Sequence, residues 1–164
     1  MAIEVVQLKI HLPSERDIEP FLGDLLGRKV TVRAGGKLAQ GPKDKFVGAA
    51  YRAESGALAG VAAVDLPLAV ALGASIAALP PGTVAPIVTT GRFTEAVWEN
   101  LYEVLNVTSR WFQPQQGTMV AIDKMWQGAE LPADIRSALA AFPKKFEAKV
   151  EVQGYGGGML LLAA

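Results

Sequence analysis

The sequence predicts an α+β fold in which an antiparallel sheet of about six strands packs against two long helices. Three observations lead there. Strand-type runs flank the helical runs instead of alternating with them one by one, two helical runs (residues 66–79 and 93–112) are long enough to cover a sheet, and 164 residues with 51% apolar side chains can bury one core without metal or disulfide. A single domain over residues 1–164 is expected.

Residues 3–12 carry β-branched side chains in partial alternation and predict a strand whose pairing the sequence leaves open. Ser14 and Asp17 have the spacing of a capping box, and Ile18, Phe21, Leu22, Leu25 and Leu26 recur at helical intervals before Gly27, giving a helix of about three turns. Lys29-Val-Thr-Val-Arg33 alternates as a strand should. Residues 46–52 and 57–64 flank the turn sequence Glu54-Ser55-Gly56, so these three runs are expected to be neighbouring antiparallel strands. Residues 66–79 are apolar all round, as in a helix pinned between a sheet and other elements, and Pro80-Pro81-Gly82 is expected to end it. An irregular stretch with Pro and Thr leads into residues 93–112, the longest amphipathic helix; residues 118–126 read as a strand and 132–142 as a short helix. Strands at 145–153 and 159–163 follow, joined by Gly154-Tyr-Gly-Gly-Gly158 as a hairpin. No fixed-period repeat is present, which excludes a solenoid.

Lys plus Arg and Asp plus Glu both number 16, so no excess positive field draws nucleic acid or anionic lipid. Cysteine is absent, which removes thiol nucleophiles and thiolate zinc sites and fits a reducing, cytoplasmic setting. The first residues lack the basic region and cleavage site of a secretory signal and are expected to be mature sequence. The most apolar region is interrupted by Asp65 and Pro67, and the uninterrupted remainder is too short to span a bilayer.

Several familiar chemistries find no support. His11 is the one histidine and sits in the first predicted strand, so no base stands ready for a serine nucleophile. Gly36-Lys-Leu-Ala-Gln-Gly41 begins like a P-loop, yet Pro42-Lys43 follows and a strand replaces the helix, so a flexible hairpin loop is expected. No carboxylate cluster has the spacing of a calcium loop, and no intrinsic metal site is predicted.

On a wheel of the 93–112 helix, Val97, Leu101, Val104, Leu105, Thr108 and Phe112 gather on one side, and Glu95, Glu99, Glu103, Asn106 and Arg110 gather opposite. Such a stripe is either an ordinary solvated face or a surface for a partner. Glu99-Asn-Leu-Tyr-Glu103-Val-Leu-Asn106 resembles the signature of the CheC/CheX family of chemotaxis phosphatases: an acidic or hydroxyl residue, three residues, Glu, two residues, Asn, on a long surface helix. Residues 18–32 are similar to the N-terminal helix and first strand of CheX-like proteins, and residues 51–79 to their hairpin running into an Ala-rich helix that starts at an Asp. The pattern covers residues 18–162. A single copy is present, as in CheX, because the stretch from Asp65 lacks the Glu and Asn; Arg110 stands where a small residue is usual, and Pro132 lies a few residues beyond the family's proline.

The resemblance implies a CheX-like domain that dephosphorylates a CheY-like response-regulator receiver. Glu103 would pair with the receiver's lysine and Asn106 would orient the attacking water, as the catalytic pair, while Glu99 would contact the partner at the rim. No cofactor of this chain is implied, since Mg²⁺ would sit on the receiver. A non-catalytic binding or dimerisation module of the same fold is the alternative, and a small-ligand site around Trp98, Trp111 and Trp126 is a third reading. A homodimer is expected, because the Ala/Gly-rich helix and Met159-Leu-Leu-Leu162 offer more apolar surface than one sheet face buries.

Overall fold

A computed structural model describes residues 9–114 and 119–164. Helix α1 (Glu15–Leu26) begins where the capping-box spacing places it: the Asp17 carboxylate accepts from the Ser14 N–H at 2.9 Å and from its hydroxyl at 3.0 Å, which holds the Asp17 carboxyl below the usual range. It ends on Gly27 in the left-handed region, φ 66°. Strand β1 (Val30–Ala34) follows, then β2 (Phe46–Ala53), β3 (Leu58–Asp65), α2 (Leu66–Ile76), α3 (Val84–Thr90) and α4 (Glu95–Val107). The chain finishes with β4 (Val120–Gln127), α5 (Ala133–Ala141), β5 (Lys145–Val152) and β6 (Gly156–Ala163).

All six strands form one antiparallel sheet in the order β1-β5-β6-β3-β2-β4. Two passes of helix and three strands, α1-β1-β2-β3 and α4-β4-β5-β6, interlock so that the order reads the same from both ends when the passes are exchanged. Topology is thus duplicated without a sequence period.

Buried residues of α1, α2 and α4 pack on one face of the sheet, against Val47, Ala49, Val150 and Leu162 among others. On the other face α5 and Leu38 cover Phe46, Ala50, Val61, Leu161 and Ala163. Strands β3 and β6 are covered on both sides, which is why they read as continuous apolar runs without alternation.

Several expectations require correction. Strand β1 does not neighbour β2, because β5, β6 and β3 lie between them, so residues 35–45 form a crossing segment and not a hairpin loop. Helix α2 stops at Ile76 and not at Leu79: Ala78 adopts φ 50°, and the Leu79 N–H turns back to the Ala74 carbonyl at 3.0 Å. The irregular stretch contains α3, which sequence patterning missed because it is seven residues long, includes Pro86 and buries only Ile87. The long amphipathic run is α helix to Val107 and tighter 3₁₀ turns over Thr108–Phe112. The last hairpin turns over residues 153–155 alone; Gly157 and Gly158 belong to β6, where a Cβ on Gly158 would collide with the Asp65 carboxylate. That carboxylate caps α2 at Leu68 N–H (3.1 Å) and also accepts from Met159 N–H (2.9 Å), while burial pushes its pKa up.

Of the strand expected over residues 3–12, residues 3–8 lie outside the described part of the chain; Ile10 forms one isolated antiparallel bridge to Pro114, and His11 is exposed and in no strand. Thr118 of the expected 118–126 strand also lies outside it. Of the surfaces behind the homodimer expectation, α2 from Leu68 to Ser75 is buried, as are Leu160, Leu161 and Leu162, while Met159 is partly exposed. Among the described residues no helix is long and apolar enough to cross a membrane.

Candidate functional site: the outer face of α4

Helix α4 starts on Thr94, whose hydroxyl accepts the Val97 N–H at 3.2 Å. Val97, Leu101, Val104 and Leu105 are buried, and these four positions fix the rotation of the helix about its axis. Its depth is set by Gly73 of α2, where a Cβ would stand 2.5 Å from the Val97 carbonyl oxygen and 2.9 Å from its Cγ1. The far end is anchored to β2: the buried Tyr51 hydroxyl donates to the Leu105 carbonyl at 2.7 Å and lies 2.9 Å from the Thr108 hydroxyl, which reaches the same carbonyl at 2.8 Å. Burial pushes the Tyr51 phenol well above its ordinary pKa, so it acts only as a neutral hydrogen-bonding group.

With that face inward, Glu95, Glu99, Glu103 and Asn106 are all exposed. Their side chains make no hydrogen bond or ion pair with any described residue. Glu99, Tyr102, Glu103 and Asn106 stand at i, i+3, i+4 and i+7, which makes them four contiguous neighbours on one patch of helix surface. Glu99, Glu103 and Asn106, the three candidate residues of the sequence, are therefore together. Tyr102, which belongs to neither the core side nor the polar stripe of the wheel, completes the patch; its spacing of three from Glu99 and four to Asn106 is the signal for it in the sequence.

The patch is the outside of a helix, so it suits docking against another macromolecule better than enclosing a small molecule. Two depressions in the surface lie away from it. One of about 250 Å³ over β1 and β5 is lined by Thr31, Arg33, Lys149 and Glu151, and another of about 270 Å³ includes Lys43, Lys45, Thr90 and Gln127. The tryptophans do not converge either: Trp111 is buried against Phe21, Trp98 packs edge-on to Phe93, and Trp126 packs on the α5 side of the sheet. A ligand site shared by all three is thereby corrected, since the sheet separates Trp126 from the other two.

No family model matches the sequence, and no curated protein does. Solved structures do match in backbone. FliM in a FliG–FliM complex from H. pylori has a TM-score of 0.59 at 11% identity, over 90% of this chain and 84% of that one. The FliM middle domain of V. alginolyticus has a TM-score of 0.56 at 13% identity, over 92% and 87%. This chain has the fold of the FliM middle domain. FliY of Thermotoga maritima shares it, with a TM-score of 0.52 at 14% identity over 88% of this chain and 80% of that one. FliM and FliY belong to the CheC/CheX-like fold, the architecture that the sequence resemblance implied. At these identities the FliM-like character of the chain is one of fold.

Proposed function

We propose that the outer face of α4 docks a phosphorylated response-regulator receiver of the CheY type, in a chemotaxis-related signalling role, and that Asn106 promotes hydrolysis of its aspartyl phosphate. The observation that carries this reading is the exposed Glu99, Glu103 and Asn106 on one helical face, at the family's spacing for these three residues and with no side-chain partner among the described residues. Hydrolysis of an acyl phosphate needs a water in line with the bond to the aspartyl oxygen, and the receiver brings Mg²⁺ and a lysine that neutralise the phosphoryl oxygens. What remains is to place the water, and an amide suits that role. Asn106 Oδ1 accepts from the water while Nδ2 donates, so the water is held in line without a change of charge. The water oxygen bonds to phosphorus, the aspartyl carboxylate leaves, and inorganic phosphate departs. Glu103, three residues earlier on the same face, pairs with the lysine, and Glu99 contacts the partner one turn further out.

The test is phosphate loss from purified phosphorylated receivers. Acceleration by the wild-type chain that falls about a hundredfold or more in Asn106→Ala, with helical content unchanged, supports the reading; equal acceleration by the variant contradicts it.

A second reading, a non-catalytic binding module, is favoured by one observation: neighbours of this fold include FliM in complexes with FliG and with SpeE. Receiver binding without faster phosphate loss selects that reading.

A further inference from the structure

We infer that the docking surface extends beyond the polar stripe to Tyr102, and that this tyrosine governs which partner surfaces α4 accepts; the inference rests on the reading of α4 as the receiver-docking face. The chain has three tyrosines, and the structure treats them differently. Tyr51 and Tyr155 are buried and commit their hydroxyls internally, to the Leu105 carbonyl at 2.7 Å and the Leu79 carbonyl at 2.6 Å. Tyr102 is partly exposed, and its hydroxyl makes no hydrogen bond to any described residue.

Its place on the helix sets where the ring sits relative to the candidate residues. Tyr102 and Glu103 precede Asn106 by four and three residues and so flank it on either side. Four residues before Tyr102 stands Trp98, partly buried and packed edge-on to Phe93 with ring centroids 5.1 Å apart. An apolar shoulder, Trp98 to Tyr102, therefore borders the acidic stripe. A partly buried aromatic ring has little rotamer entropy left to lose on binding and presents area together with a polar tip, the properties of an interface anchor. The partner that fits has a lysine opposite Glu103 and, beside it, an apolar patch carrying a hydrogen-bond acceptor opposite the Tyr102 hydroxyl.

The experiment uses the full chain and a panel of receivers charged with beryllium fluoride as phosphoryl mimic, with Kd measured for wild type, Tyr102→Phe and Tyr102→Ala, and steady-state turnover on the phosphorylated forms. Tyr102→Ala is expected to weaken binding about tenfold or more and to raise KM by a similar factor with kcat nearly unchanged. Tyr102→Phe keeps the packing and is expected to weaken binding only a few-fold, and most for the receiver that wild type prefers. Tyr102→Ala binding every receiver within twofold of wild type overturns the inference alone, as does a loss confined to kcat. Wild type binding none of the receivers overturns the reading of α4, and the role of Tyr102 with it.

Discussion

Helices α1 and α4 open the two passes of the fold, and each carries glutamates four residues apart: Glu15 and Glu19 on α1, and Glu95, Glu99 and Glu103 on α4, of which Glu99 and Glu103 belong to the candidate site. In α1 both carboxylates are occupied. Glu19 accepts the Val32 N–H at 3.1 Å and Glu15 the Ala34 N–H at 2.9 Å, closing the outward edge of β1, which has a strand neighbour on one side only. Three residues after Glu19 α1 has Leu22, buried in the core, where α4 after Glu103 has the exposed Asn106. The opposite edge strand, β4, takes no carboxylate from α4; its first residue, Val120, is held through both backbone groups by the Gln113 side chain at 2.9 and 2.7 Å. Equal spacing thus serves edge protection in one half and leaves polar groups unengaged in the other. What separates a structural stripe from a candidate site is whether the fold itself already uses the side chains.

Substitutions in either half probe that contrast. Leu22→Asn puts a second Glu-x-x-Asn on α1, but it buries an unpaired amide and creates a void, and it is expected to lower stability by roughly 3–5 kcal/mol in urea titrations. Tyr51→Phe keeps the ring stacked on Phe112, centroids 4.4 Å apart, and removes only the hydroxyl that anchors the end of α4. A loss of about 1–2 kcal/mol is expected, together with faster amide exchange in the turn that carries Asn106. Replacing Glu15 and Glu19 together by Ala is expected to cost about 1 kcal/mol and to increase self-association in light scattering, because the edge of β1 is uncovered. Glu99→Gln relieves a like-charge pair with Glu103 on an exposed helix and is expected to change the melting free energy by no more than about 0.5 kcal/mol, in the stabilising direction.

Much of the fold is legible in the sequence because local signals are strong. The capping box at Ser14, the turn at residues 54–56 and the apolar face of α4 each mark an element where the structure has one. Strand order is not legible: whether β1 neighbours β2 or β5 is decided by contacts between residues more than a hundred positions apart, such as Val32 opposite Val150. Helix α3 is hidden by its composition, and the glycines of β6 look like loop although Gly157 is required by close approach of the β5 backbone at Val150 and Gly158 by close approach of the Asp65 carboxylate. For the site, the outward direction of Glu99, Glu103 and Asn106 follows from the wheel. Their lack of partners among the described residues, and the inclusion of Tyr102, are visible only in three dimensions, because α1 has the same glutamate spacing and uses it internally.

Whether α4 is the docking face is decided by titrating the isotopically labelled chain with a beryllium-fluoride-activated receiver and following backbone amide shifts. Perturbations concentrated between Glu99 on α4 and Arg110 in the 3₁₀ turns that follow it, with α1 silent, are the predicted result. Perturbations centred on α1 and β1, with α4 unchanged, would contradict the assignment.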